Sequence, residues 1–142
     1  MNTNKVKITF FSRSANEAFA RGVVAAFVAP LDPTVAELSD IKTAVSEAVT
    51  NCIVHAYPDT VGQIDLTAEV QENQKLLITI SDKGIGIENV ERAMQPMFTT
   101  GSPEERAGLG FAVMKSFMDE VKVRSKPQKG TKVTMVKYIR SR

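Results

Sequence analysis

The chain is 142 residues long, 43% hydrophobic and 24% charged, the size of one globular domain with enough apolar residues for its own core. Its formal charge of +2, from 18 basic and 16 acidic residues, is too small to argue for direct binding of nucleic acid. A single cysteine excludes an internal disulfide, no apolar run approaches the roughly 20 residues of a membrane span, and the opening M-N-T-N-K has no secretory pattern. The expectation is one cytoplasmic domain, residues 1–142, off the membrane.

Residues 5–11, K-V-K-I-T-F-F, alternate apolar and polar positions, the period of a half-buried strand. Ser12 or Ser14 is placed to cap a helix running to about residue 29. At 100° per residue Ala15, Phe19, Gly22, Val23 and Ala26 gather on one face, read as core, while Glu17, Arg21, Val24 and Val28 fall opposite. Arg21, Val24 and Val28 are therefore either ordinary surface or a contact face for another protein.

After the break at Asp32-Pro33, Thr34-x-x-Glu37 is a capping box that opens a long helix to about residue 55. Leu38, Ile41, Val45, Ala48, Val49 and Cys52 form its buried stripe. Asp40, Ala44, Glu47, Asn51 and His55 make a second line beside it, so Glu47 and Asn51, one turn apart, can reach one ligand. Tyr57-Pro58-Asp59 ends that helix. Alternation at 64–70 and 76–80 about the polar turn 71–74 predicts an antiparallel hairpin.

Residues 88–95 predict a short helix stopped by Pro96, and 97–107 an aperiodic, mobile polar loop. A helix over 109–119 and a second hairpin, 121–125 with 131–139, complete the chain. The order predicts an α+β fold: a two-layer sandwich with a mostly antiparallel, mixed sheet and helices on one face. Lys122, Arg124, Lys126, Lys129, Lys132, Lys137, Arg140 and Arg142 crowd the last hairpin. They are read as charges that discourage sheet-to-sheet pairing.

Two glycine pairs bracket residues 81–110, S-D-K-G-I-G-I at one end and A-G-L-G-F at the other. Phosphates need backbone amides at close range and a helix N-terminus, which Gly108-Leu109-Gly110 before a helix supplies. A purine needs a carboxylate to accept from its exocyclic amine and a bend that lets the ring lie against backbone. Asp82, Gly84 and Gly86 meet that need. No G-x-x-x-x-G-K-S/T loop, dinucleotide fingerprint or protein-kinase signature is present, and one histidine with one cysteine makes no zinc site.

In the segments S-E-A-V-T-N-C-I-V-H-A (46–56), D-K-G-I-G (82–86), G-L-G (108–110) and G-T-K-V (130–133) the chain resembles the GHKL ATPases, of Bergerat fold, matching their N box, two glycine boxes and closing strand in order. The resemblance implies ATP and Mg²⁺ as cofactors. It implies that Asp82 recognises adenine with help from Thr131, that Gly84 and Gly86 shape the base site, and that Gly108, Leu109 and Gly110 hold phosphates under an ATP lid. It further implies Asn51 as Mg²⁺ ligand and Glu47 as general base. N-C-I-V-H-A-Y-P and F-T-T-G-S-P-E-E-R are most similar to the bacterial anti-sigma factor kinases; Cys52 stands where many of these have alanine.

That likeness implies a homodimer that binds a sigma factor of the sporulation sigma F type. It also implies transfer of phosphate to a serine of an anti-anti-sigma factor. In such a transfer Arg106 is either a clamp on the γ-phosphate or a partner of Glu104 or Glu105. The alternatives are the catalytic domain of a histidine kinase and a nucleotide-switched binding module without kinase activity.

Overall fold

The computed structural model describes residues 3–94 and 103–140, the side chains of 103–107 excepted. In chain order it has β1 (Asn4–Phe11), α1 (Ala15–Val28), a 3₁₀ turn (Ala29–Leu31) and α2 (Val35–Asn51), continued by a π-helical turn (Cys52–Ala56). There follow β2 (Gln63–Gln71), β3 (Lys75–Asp82), α3 (Val90–Met94), α4 (Pro103–Phe117), β4 (Glu120–Lys126) and β5 (Gly130–Tyr138). The strands form one sheet in the order β1-β2-β3-β5-β4, with each neighbouring pair antiparallel. The expected mixed sheet is thus antiparallel throughout, because the chain between β3 and β4 runs to the far edge and β5 returns beside β3.

Alternation along each strand, locked by register, builds apolar rows across the whole sheet. Ile8, Leu66, Ile80, Val133 and Val123 are successive cross-strand partners, as are Val6, Ala68, Ile78, Met135 and Val121. These rows pack with Ile41, Val45, Ala48 and Val49 of α2 and Phe111 and Met114 of α4 in one core. The next row on the same face is Phe10, Ile64, Asp82, Thr131 and Ser125. Three polar residues therefore lie side by side where the apolar layer ends.

The two faces of α1 are opposite to the expectation. Val24 and Val28 are fully buried with Ala20, whereas Phe19 is 58% exposed and Ala15, Gly22 and Ala26 are exposed. Val24 and Val28 are core residues and form no contact surface. Phe19 and Val23 made the other face look apolar, but Ala20, Val24 and Val28, at i, i+4 and i+8, form the continuous stripe that is buried. Arg21 lies at the seam with α2, where it meets Glu17 at 3.5 Å and Ser46 Oγ at 3.5 Å.

The expected caps divide in the same way. Thr34 and Glu37 form the capping box, Glu37 N donating to Thr34 Oγ1 at 3.0 Å and Thr34 N to Glu37 Oε1 at 2.9 Å. Ser14 occupies the N-cap of α1 without a side-chain bond. Ser12 turns inward instead, accepting from Gly62 N at 2.9 Å.

Residues 95–102, which include 97–102 of the predicted loop 97–107, lie outside the described residues. The last part of that loop is helical, because α4 begins at Pro103, six residues earlier than expected. Proline is pre-set for the first helical position.

Candidate functional site

The site gathers where α2, α4 and the polar end of the sheet meet. Ala48, Asn51, Cys52, His55, Ala56, Asp82, Gly86, Ile87, Phe111, Thr131 and Val133 line a cavity of about 40 Å³, room for one or two water molecules. Asp82 is its anionic end. Its Oδ1 accepts from Gly84 N at 2.9 Å and Thr131 N at 3.2 Å, and its Oδ2 from the Cys52 thiol at 3.4 Å. Burial raises the Asp82 pKa, against the lowering effect of those three bonds, and burial also pushes the Cys52 thiol well up.

Two glycines are required by the bend around Asp82. Gly86 has φ +76° and Gly130 φ +113°, and a Cβ on either would strike a backbone carbonyl, that of Lys126 or Asp82 respectively. Gly84 likewise lies against the Ala56 carbonyl. That carbonyl comes from the π-helical turn and accepts from Ile85 N at 3.1 Å, while Tyr57 N bonds back five residues to Cys52 O at 3.2 Å. The predicted continuous helix to residue 55 therefore widens after Asn51.

At the other end, α4 crosses α2 with a glycine at the contact. A Cβ on Gly110 would stand 3.1 Å from Asn51 Oδ1 and 3.2 Å from Glu47 Oε2. The structure thus brings together Glu47, Asn51 and Gly110, and Asn51 lines one cavity with Asp82, Gly86 and Thr131. Asn51 Nδ2 is buried and has no hydrogen-bond partner, an orphaned amide of the kind that native interiors rarely tolerate without a ligand. A half-turn of the amide puts its oxygen in that place. Oxygen donors suit Mg²⁺, which is commonly held by one or two protein groups plus substrate phosphates. Among the described residues no group of three or more His, Cys, Asp or Glu stands ready for a metal, so Asn51 would serve with the phosphates and without a cage.

Other predicted residues fall elsewhere. Gly108, Leu109 and Gly110 are in the interior of α4, beyond the first four amides that a helix leaves free, and not before its N-terminus. Glycines at 108 and 110 hid the upstream start of that helix. Arg106 is in its early turns, and its side chain lies outside the described residues. Arg21 borders a separate groove together with Ser39, Lys42, Thr43, Ser46 and Glu47.

Sequence reasoning missed two supporting residues. The Tyr57 hydroxyl donates to Gln63 O and accepts from Lys83 N, both at 2.8 Å. Ser125 Oγ accepts from Ile87 N at 2.7 Å and joins Thr131 Oγ1 at 2.8 Å. The signal for Ser125 was available: it continues the inward alternation Val121, Val123, as Asp82 continues Ile78, Ile80.

An antiparallel sheet under helices, with an acidic residue and glycine turns at one end and a Glu/Asn pair on the covering helix, defines a GHKL-type ATPase domain. Accordingly, the model for "Histidine kinase-like ATPase domain" matches residues 11–137. The chain is 58% identical over 139 residues to the "Anti-sigma F factor" of Thermoanaerobacter sp. (strain X514), covering 98% of this chain and 96% of that one. It is 60% identical over 136 residues to the "Anti-sigma F factor" of Caldanaerobacter subterraneus subsp. tengcongensis, covering 96% and 94%. The chain belongs to the histidine kinase-like ATPase domain family, in the branch of these anti-sigma F factors.

Solved structures agree on the fold. The RsbU and RsbW domains of a Mycobacterium tuberculosis protein match with a TM-score of 0.71 at 18% identity, over 96% of this chain and 32% of that one. The nucleotide-free catalytic domain of histidine kinase ThkA matches with a TM-score of 0.59 at 15% identity, over 98% and 99%.

Proposed function

We propose that this chain is an anti-sigma factor that binds ATP with Mg²⁺ and transfers phosphate to a serine of an anti-anti-sigma protein. The observation that carries the catalytic part is the meeting of Glu47 and Asn51 at Gly110, with Asn51 also lining the cavity that holds Asp82. The regulatory part draws on the names of relatives at 58% and 60% identity; binding of a sigma factor of the sigma F type and a homodimeric state belong to the same reading.

In this reading Asp82 Oδ2 receives the exocyclic amine of adenine while its Oδ1 stays fixed by two backbone amides. Gly84 and Gly86 let the ring approach the main chain. When bound, Mg·ATP supplies the phosphoryl group and neutralises its charge. Asn51 would hold the metal through its amide oxygen, and Glu47, half-buried in the lining of the polar groove, takes the proton of the serine hydroxyl. Arg106 would meet the γ-phosphate from α4.

A cavity of about 40 Å³ is smaller than a purine. Entry of the base, and use of the amides of Gly108, Leu109 and Gly110 by phosphates, therefore require the early turns of α4 to loosen, and glycine weakens a helix there. The groove lined by Arg21, Ser39, Lys42, Thr43, Ser46 and Glu47 suits a polar substrate segment. A histidine-kinase role is less well supported, since the single histidine, His55, lines the nucleotide cavity.

The test is incubation with Mg·ATP and a candidate anti-anti-sigma protein, followed by location of phosphate by mass spectrometry. Serine phosphate is expected with the unaltered protein, and Glu47→Ala should slow its formation by roughly 100-fold or more while ATP affinity changes little. Undiminished transfer by Glu47→Ala rules out the general-base assignment. If transfer is absent but nucleotide and sigma factor still bind, the protein is a nucleotide-switched binding module.

A further inference from the structure

We infer that Ser125 fixes the polarity of Thr131, so that Thr131 and Asp82 face the cavity as a pair of hydrogen-bond acceptors and select a purine bearing an exocyclic amine. The inference rests on the nucleotide reading above and concerns a residue which that reading leaves without a role.

A serine hydroxyl has one proton and two lone pairs. Three groups surround Ser125 Oγ: Ile87 N at 2.7 Å, Gly130 O at 3.0 Å and Thr131 Oγ1 at 2.8 Å. The Ile87 amide can only donate and the Gly130 carbonyl can only accept. The single proton of Ser125 is therefore committed to Gly130 O, and one lone pair to Ile87. The remaining contact is made only if Thr131 donates its own proton to the second lone pair of Ser125. All three bonds exist together in no other arrangement.

The consequence falls on the cavity. With its proton turned away towards Ser125, Thr131 presents lone pairs alone. Asp82, its cross-strand partner in β3, holds Oδ1 on two backbone amides, which leaves Oδ2 to face the cavity beside the weakly donating Cys52 thiol. An amine with two N–H groups meets two acceptors there. A carbonyl at the same ring position meets two sets of lone pairs and leaves Asp82 Oδ2 with only the weak thiol donor of Cys52, which is costly. The sheet register supplies the geometry, since Asp82, Thr131 and Ser125 are successive partners in one row.

The experiment compares equilibrium affinities of the full chain for ATP and inosine triphosphate by titration calorimetry with Mg²⁺. These nucleotides differ only at the 6-substituent and the protonation of the adjoining ring nitrogen. The unaltered protein should prefer ATP by roughly tenfold or more. In Ser125→Ala the Thr131 proton is released to serve a carbonyl, and the preference should shrink by roughly fivefold; Ser125→Thr, which keeps the hydroxyl, should restore it.

Loss of both affinities by the same factor in Ser125→Ala would mean that Ser125 only anchors Ile87, and would overturn the inference. Should Ser125→Ala fail to fold, Thr131→Val decides, because it removes the acceptor while leaving Ser125 its bonds to Ile87 and Gly130. Its preference for ATP should also fall, and an unchanged ratio would overturn the inference. An unaltered protein that binds neither nucleotide would remove the ATP reading itself, a result distinct from ATP binding with an unmoved ratio.

Discussion

Asp82 stands at the balance between two opposed effects. Burial penalises its charge and raises its pKa from 3.8, while bonds from Gly84, Cys52 and Thr131 favour the charged form and lower it, and burial wins. A carboxyl whose pKa is raised by folding holds its proton more tightly in the native state. Its contribution to stability is complete below the unfolded value and is lost as pH rises through the folded one. Asparagine at this position carries no such dependence. The stability of the wild type relative to Asp82→Asn should therefore decline as pH is raised from about 4 towards neutrality, as measured by urea unfolding at a series of pH values. A difference that grows with pH would show that the hydrogen bonds outweigh burial. The acidic residue itself was legible in the sequence, from its place before Gly84 and Gly86. Its thiol partner and its bond to Thr131 were not, because they join residues 30 and 49 positions apart.

Among the elements, α1 shows where pattern reading fails. Hydrophobicity alone gave two candidate faces, and packing against α2 and β2 selected the one with Ala20, Val24 and Val28. Two substitutions separate the faces. Gly22 is exposed in the helix, and a Cβ there meets nothing within 4 Å, so Gly22→Ala should stabilise the protein by about 0.5 to 1 kcal/mol. Val24→Ala, at a fully buried position, should cost about 2 kcal/mol. Denaturant unfolding of the two variants checks both signs; a neutral Val24→Ala would return that residue to the surface. By contrast, α2 was readable almost completely. Its capping box is a local signal, its i, i+4 lines carry the site residues, and only the π-helical turn after Asn51, set by contact with the Gly84 bend, was hidden.

At the scale of the molecule, Lys137 ties the layers together. The sequence pattern groups it with edge charges, yet it lies on the inward face of β5 as the partner of Leu76. Its ammonium donates to Phe117 O at the end of α4 at 2.6 Å and reaches Asp40 Oδ2 in α2 at 3.4 Å, and its side chain is 12% exposed. A cation at the C-terminus of a helix answers both the free carbonyls and the dipole there. Lys137→Met keeps the apolar stem but removes both contacts. The expected loss is about 1 to 3 kcal/mol, read as a lower urea midpoint, and little change would reduce the contact to a surface pair.

Composition and short-range pattern by themselves determined the α+β class, the strands, the capped helix bearing Glu47 and Asn51, and the glycine bends around Asp82. These depend on side-chain period, capping chemistry and positive φ, all properties of a few consecutive residues. Only the tertiary structure decided which face of α1 is core, that α4 starts at Pro103 and places Gly110 against Glu47 and Asn51, and that Ser125 stands beside Thr131. Those outcomes depend on strand register and helix packing, which join distant segments through contacts that no local window contains.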